Sequence, residues 1–216
     1  MRKVWGTAAP FNELAALMKA VYSAIILTAV LGNSVCAVPV LAQTTATATT
    51  LDGHKGFDFL IGTWSTHYKR LRHPLSKNHD WYECAGISVV RAFWNGSGNI
   101  ETGDIRCPEQ YISSMTLRLY DDASHQWSLY WGTKKLGLAN GAQVGHFDEN
   151  RVGDFLAKDT FAGKPVIVRY RWKVLAGDRP HFEQAFSADD GRTWETNWIS
   201  DYTRASASIK ARQRSS

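Results

Sequence analysis

From Trp64 to Thr203 the chain alternates apolar and polar side chains over short segments that are separated by turn residues. A period of two places successive side chains on opposite faces of a β-strand, and no helical period of 3.6 residues persists beyond residue 60. The alternation predicts ten strands, at 63–71, 81–93, 99–107, 115–120, 126–133, 144–148, 154–159, 165–174, 182–187 and 194–203. Short strands at this regular spacing are typical of an antiparallel sandwich or barrel.

The stretch from Phe57 to Trp64 is expected to lead into the first strand. Gly62 allows the backbone to bend sharply there, and the indole of Trp64 is large enough to plug one end of a barrel. We expect residues 51–60 to form a short helix, with Asp52 near its N-terminus, that caps this end.

The entry Phe57–Trp64 resembles the Gly-x-Trp signature that opens the calycin barrels, which include lipocalins, fatty-acid-binding proteins and nitrobindin-like proteins. Further along, Glu183–Ser187 and Asp190–Trp198 resemble a group of exported bacterial proteins of unknown function with such barrels. The similarity to that group runs from about residue 57 to residue 204. The group carries no activity that could be transferred to this chain.

The resemblance implies an all-β fold, a single antiparallel up-and-down β-barrel of about ten strands with a short N-terminal helix. In lipocalins a basic residue near the end of the barrel packs on the signature tryptophan. By resemblance, Arg204 is expected to cover Trp64. The long C-terminal helix of true lipocalins is missing, which favours the smaller barrels of the superfamily.

The first 42 residues differ in composition from the rest and are predicted to be a signal peptide. Lys19 precedes the apolar run 24–31, and Val40-Leu41-Ala42 fits the −3 and −1 positions of a signal-peptidase site. Cleavage is therefore expected before Gln43, which would place the mature chain in the periplasm or outside the cell. Met18 is an alternative true start, because it would itself open a signal peptide of ordinary length.

Removal of residues 1–42 leaves enough chain for one domain. We predict a flexible leader at 43–56, a barrel domain at 57–204 and a disordered basic tail at 205–216. A transmembrane helix would need about 20 continuous apolar residues, and Gly32, Asn33 and Ser34 interrupt the early apolar run. We expect no transmembrane segment in the mature chain, and a monomer or a homodimer.

The charge distribution argues against a nucleic-acid partner. The whole chain has a formal charge of +5, and three basic residues and one acidic residue fall in the predicted signal. Lys210, Arg212 and Arg214 of the tail account for the rest of the excess. The barrel domain is therefore formally neutral, whereas nucleic-acid binding requires a basic surface.

Two cysteines, Cys84 and Cys107, remain after signal cleavage and lie on stretches predicted to be neighbouring strands. In an oxidising compartment they could form a disulfide, and the alternative is a pair of buried free thiols. Two isolated cysteines without clustered histidines do not make a metal site. We predict no metal.

A ligand cavity is the main functional hypothesis. Eight of the nine tryptophans lie in the mature chain, and a barrel with a central cavity would use such bulky side chains to line or fill it. The candidate lining residues are Trp64, Tyr68, Trp131, Trp172 and Trp198. A cavity of this kind would bind an apolar or aromatic small molecule.

The strand at 166–174 leaves the polarity of this cavity open. One of its faces carries Val166, Val168, Tyr170 and Trp172, and the other carries Ile167, Arg169, Arg171 and Lys173. If the charged face points outward, it forms surface ion pairs with neighbours such as Glu183. If it points inward, Arg171 and Glu183 form a polar patch that could bind a carboxylate or hydroxyl group.

Other chemistry has less support. Nitrobindin-like barrels bind haem through a histidine, and the last strand, 194–204, contains none, so we predict no cofactor. The segment Ser187–Trp194 matches the Asp-box spacing of sialidase propellers, but a single copy indicates a structural turn. No Gly-x-Ser-x-Gly nucleophile elbow is present.

Three functional hypotheses follow. The first is a periplasmic barrel that binds a small apolar or aromatic molecule. The second is an enzyme, an isomerase or hydrolase of a small exported substrate, that uses an inward Glu183 with Arg171 or Tyr68. The third is a structural protein whose barrel is packed solid.

Overall fold

The structure, a computed structural model, describes residues 53–139, 141–207 and 209. The predicted signal peptide with Met18, most of the predicted leader and most of the predicted tail lie outside these residues. The described part contains eleven strands: β1 Gly62–Leu71, β2 Trp81–Phe93, β3 Gly98–Arg106, β4 Tyr111–Asp121, β5 Gln126–Thr133, β6 Gly137–Leu138, β7 Gln143–Phe147, β8 Gly153–Phe161, β9 Lys164–Leu175, β10 Arg179–Ser187 and β11 Glu195–Arg204.

Ten of these strands close into one antiparallel barrel. The order along the sheet is β4-β3-β2-β1-β11-β10-β9-β8-β7-β5, and the pairing of β4 with β5 closes the circle. Every neighbour is also the next strand in sequence, apart from the β1–β11 pair and the step from β5 to β7. The predicted all-β up-and-down barrel is therefore confirmed.

Two strands begin several residues earlier than expected, and one short strand was not expected, because short turns leave more residues free to pair. β4 begins at Tyr111 since the N–H of Cys107 donates to Gln110 O at 2.9 Å and closes a tight turn. β10 begins at Arg179 because Asp178 adopts a positive φ in the turn before it. The predicted loop at 134–140 contains β6, which pairs with the end of β5.

The expected N-terminal helix is present as two single 3-10 turns, Gly53–Lys55 and Asp58–Leu60. Phe57 lies between them and enters one end of the barrel, where its ring contacts Trp127, Phe147, Phe155 and Trp172. These rings and the buried Leu60 form the core of what we call the closed end. The described residues include no helix that is both long and apolar enough to cross a membrane.

Trp64 completes the closed end. Its indole N–H donates to Leu60 O at 2.7 Å, and the guanidinium of Arg204 lies 3.8 Å from its ring centre. Arg204 Nη1 also donates to Ile61 O at 2.7 Å, so the expected cover on Trp64 is confirmed. Gly62 has a φ of 133°, and a Cβ there would lie 2.3 Å from Arg204 Nη1. The Gly-x-Trp entry thus needs glycine both for its backbone angle and for the arginine that covers it.

The opposite end, which we call the mouth, is stabilised by a disulfide and by a hydrogen-bonded turn. Cys84 and Cys107 are joined by a disulfide, so the structure has the bonded alternative rather than two free thiols. The Asp-box segment forms the β10–β11 turn, where Asp189 accepts hydrogen bonds from both the N–H and the hydroxyl of Thr193, at 2.9 and 2.6 Å. Trp194 donates to Gly191 O at 3.0 Å and closes the same turn.

Candidate functional site

The barrel interior is not packed solid. Between the closed end and the mouth it contains a cavity of about 250 Å³. Its aromatic lining residues are Tyr68, Trp131, Tyr170, Trp172, Phe182, Phe186, Trp198 and Tyr202. A concave, largely aromatic space with a few polar groups has the general character of a small-molecule site.

Four of the five aromatic residues predicted from the sequence line this cavity: Tyr68, Trp131, Trp172 and Trp198. The Trp131 and Trp198 rings meet edge to face with their centres 6.0 Å apart, and Tyr68 meets Trp198 in the same way at 6.1 Å. Trp64 is fully buried within the closed end and does not line the cavity. Its role is therefore to seal the barrel beneath the site.

Arg171 and Glu183 do not line the cavity: of the two alternatives for the charged face of β9, the structure has the outward one. The alternation of β9 turns Val168 and Trp172 inward, so Arg171 lies on the outer face, where it donates two hydrogen bonds to Asp154 at 2.7 and 2.6 Å. This pairing raises the pKa of Arg171.

Glu183 lies on the same outer face and contacts Lys173 at 3.0 Å and His181 at 2.9 Å. Burial alone would raise the pKa of Glu183, but the hydrogen bonds to His181 and Lys173 outweigh burial and hold it below its ordinary value. The hypothesis of an enzyme that uses an inward Glu183 loses its structural basis.

The polar centre of the cavity is instead a cluster that the sequence did not predict. We call it the floor cluster: Arg118, Glu101, Asn99, Ser88 and Tyr202. Arg118 is only 1% exposed; its Nη2 pairs with Glu101, and its Nη1 donates to Asn99 Oδ1 at 3.0 Å. Glu101 also accepts hydrogen bonds from the hydroxyls of Ser88 and Tyr202, the latter at 3.2 Å.

The closed end supports the Arg118 cation from below. Its guanidinium lies 5.1 Å from the ring centre of Phe57 and 5.2 Å from that of Trp172. Such cation–π contacts offset part of the free energy lost when a cation leaves water. The Arg118–Glu101 ion pair therefore lies between the closed end and the cavity.

Three buried polar atoms of cavity-lining residues have no hydrogen-bond partner in the described part of the chain. They are Arg118 Nε, Trp172 Nε1 and Gln143 Oε1. Buried polar groups are normally paired, since an unpaired one costs about 1–3 kcal/mol. All three belong to residues that line the cavity, where ordered water or a polar group of a bound molecule would pair with them.

The tyrosines of the cavity are neutral at physiological pH. Burial raises the pKa of Tyr68, and the nearby Glu101 carboxylate raises it further. Burial, followed by Glu101, also raises the pKa of Tyr202 well above its ordinary value. Both hydroxyls are therefore hydrogen-bond donors, not phenolates.

The floor cluster was missed because Arg118 lies on β4 between two leucines, Leu117 and Leu119. A hydrophobic pattern favours turning the leucines inward. The available signal was the register of the β3–β4 hairpin, which places Asn99 directly opposite Arg118 and Glu101 one pair further along the same face.

Comparisons with known proteins concern the fold. No protein-family model and no curated protein sequence matches this chain. Among solved structures, the S-type phycobiliprotein lyase CPES from Guillardia theta matches with 12% identity and a TM-score of 0.47, over 70% of this chain and 91% of its own. The protein Rv2717c from M. tuberculosis matches with 12% identity and a TM-score of 0.44, over 70% of this chain and 98% of its own.

Proposed function

We propose that this protein is an exported, periplasmic barrel that binds a small apolar or aromatic molecule in its central cavity. The observation that carries the proposal is the conjunction of an aromatic-lined cavity of about 250 Å³ with unpaired polar atoms on Arg118, Trp172 and Gln143. Aromatic walls favour the burial of a flat apolar body, and the floor cluster provides fixed polar groups that orient it.

Two features support export. One is the predicted signal at 1–42, and the other is the Cys84–Cys107 disulfide, since disulfides persist mainly in oxidising compartments. Expression of the whole chain in a bacterium should give periplasmic protein whose first residue is Gln43. Its measured mass should be two hydrogens below that of the same chain with Cys84 and Cys107 reduced. Protein that stays in the cytoplasm with residues 1–42 attached would contradict the export part of the proposal.

The binding part is tested on exported protein purified without detergent. A cavity of about 150 Å³ can hold benzene, so the larger space here suits a two-ring aromatic such as 2-naphthamide. Native mass spectrometry should detect any retained ligand, and calorimetry should detect saturable binding of 2-naphthamide to protein freed of it.

A matched pair of variants locates the binding. Thr116 lines the cavity from β4, while Leu117 is the next residue on the same strand and does not line it. Thr116→Trp should fill the space and abolish binding of 2-naphthamide, whereas Leu117→Trp should bind like the unmodified protein. Equal binding by both variants, each shown to be folded by circular dichroism, would place the ligand elsewhere and refute the proposal.

A further inference from the structure

Arg70 is a second cation of the cavity, at the mouth. It lies on β1 on the same inward face as Tyr68, and it lines the cavity. Its register partners are Trp198 on β11 and Tyr82 on β2. The guanidinium lies 4.1 Å from the ring centre of Trp198 and 6.0 Å from that of Tyr82. The stack on Trp198 fixes the cation at the point where a ligand would enter.

Three other arginines of the barrel, Arg72, Arg118 and Arg171, have carboxylate partners. Arg72 pairs with Asp80 and Glu109 at 3.1 and 2.7 Å. The partners of Arg118 and Arg171 were described above. For Arg70, no carboxylate within ion-pair distance and no hydrogen-bond acceptor is found among residues 53–139, 141–207 and 209.

This position is also desolvated. Arg70 is half-buried against the mouth wall, and this burial lowers its pKa, because the charged form loses water without gaining an anion. A partly buried cation without a counter-charge is costly. An anion bound at the mouth would offset that cost with charge-assisted hydrogen bonds, which a planar guanidinium donates two at a time to a carboxylate.

The other charges of the cavity leave this site positive. Glu101 is compensated by Arg118. Asp159 also lines the cavity, but it lies on β8, four strands away from β1 in the barrel order, and accepts a hydrogen bond from the N–H of Thr160 at 2.7 Å. The region beside Trp198 is therefore the cationic side of the mouth.

We propose that Arg70 is an anion-binding residue and that the ligand class is a small aromatic carboxylate. The acid group binds Arg70 at the mouth, while the ring lies against Trp198 and Trp131 and points toward the floor cluster. This inference rests on the proposed binding function, and it adds the charge of the ligand and the residue that selects it.

The test compares 2-naphthoate with 2-naphthamide, which have nearly the same shape but differ by one negative charge. Calorimetry on the unmodified protein should show tighter binding of the naphthoate. In Arg70→Gln, affinity for the naphthoate should fall by about tenfold or more, the size of one lost charge-assisted hydrogen bond. Affinity for the naphthamide should change by less than about twofold, because the ring contacts remain. Arg70→Lys keeps the charge and should retain part of the preference.

Arg169 provides the matched control. Its guanidinium also stacks on an indole, 4.4 Å from the ring centre of Trp194, but it lies on the outer face of β9. Arg169→Gln should leave both affinities unchanged.

The outcomes separate the two proposals. If the unmodified protein binds both compounds but prefers the amide, or if Arg70→Gln weakens both compounds equally, the anion-site inference is overturned while the binding function stands. If neither compound binds at millimolar concentration to protein freed of any retained ligand, the result counts against the binding function itself. The preference of the unmodified protein is decisive even if Arg70→Gln does not fold.

Discussion

The buried Arg118–Glu101 ion pair should behave very differently when one partner is removed than when both are replaced. In Arg118→Met the Glu101 carboxylate stays buried and keeps only the hydrogen bonds from Ser88 and Tyr202. In the double variant Glu101→Leu/Arg118→Met no buried charge remains. We expect the double variant to be more stable than the single variant Arg118→Met.

The expected loss of unfolding free energy follows from the burial of both side chains, which are 1% exposed for Arg118 and 10% exposed for Glu101. Removing one partner of a buried pair costs about 3–5 kcal/mol of unfolding free energy, which is roughly 6–20 °C in Tm for a domain of this size. Replacing both partners with apolar side chains is often neutral or stabilising. Here the hydroxyls of Ser88 and Tyr202 lose their acceptor, so a remaining cost of about 1–3 kcal/mol is expected.

Urea and thermal unfolding, followed by tryptophan fluorescence, measure these differences. The control is Arg171→Met, which removes a well-formed but partly exposed pair with Asp154 and should cost no more than about 1 kcal/mol. The reasoning is refuted if Arg118→Met costs as little as Arg171→Met. It is also refuted if the two single changes, Arg118→Met and Glu101→Leu, simply add in the double variant, because partners in direct contact should couple.

Three further predictions concern the two ends of the barrel. Gly62→Ala should lower the unfolding free energy measured in urea by roughly 1–3 kcal/mol, because it strains a φ of 133° and displaces Arg204. Replacing Cys84 and Cys107 together with alanine should lower it by about 3 kcal/mol, because the bond closes a loop between residues 23 apart in sequence. Asp189 should titrate by NMR with a pKa of about 2, because hydrogen bonds from the side chain and backbone of Thr193, and then from Ser187, stabilise its carboxylate. Its pKa is lower folded than unfolded, so its contribution to stability is complete above the ordinary aspartate value near pH ~4 and is lost as pH falls toward 2.

Each of these has a control. Gly163→Ala keeps a positive φ of 77° but meets no atom within 4 Å, so a cost equal to that of Gly62→Ala would show that Arg204 is not involved. A reducing agent should destabilise the unmodified protein and leave the variant without Cys84 and Cys107 unchanged. Asp189→Asn should reduce the pH dependence of stability between 2 and 4, and an unchanged dependence would assign it to other carboxyls, such as Glu183, whose pKa is also lowered.

The sequence was sufficient to predict the barrel because its evidence was local. A period of two depends only on backbone geometry, so the faces of β9 were separated correctly from the order of residues such as Val168 and Arg169. The same period does not say which face is inside. That choice was resolved by the structure, which turns Val168 inward and leaves Arg171 paired with Asp154 outside.

The floor cluster could not be predicted from one strand because its energy is not local. A buried Arg118 is unfavourable unless Glu101 and Asn99 face it from β3, and those partners are 17 and 19 residues away in sequence. Arg70 presents the same difficulty, since its significance lies in the carboxylate it lacks rather than in a motif it belongs to.

The closed end also determines where the protein can be attached to a surface. β1 enters and β11 leaves side by side there, with Trp64 opposite Arg204 and the N–H of Ala205 still donating to Thr63 O at 3.0 Å. The chain therefore enters β1 and leaves β11 at the closed end, away from the mouth. A tag joined directly after residue 205 would attach the protein to a surface with its entrance toward the solution. The barrel is thus suited to a surface-coupled sensor in which the quenching of Trp131 and Trp198 reports what enters.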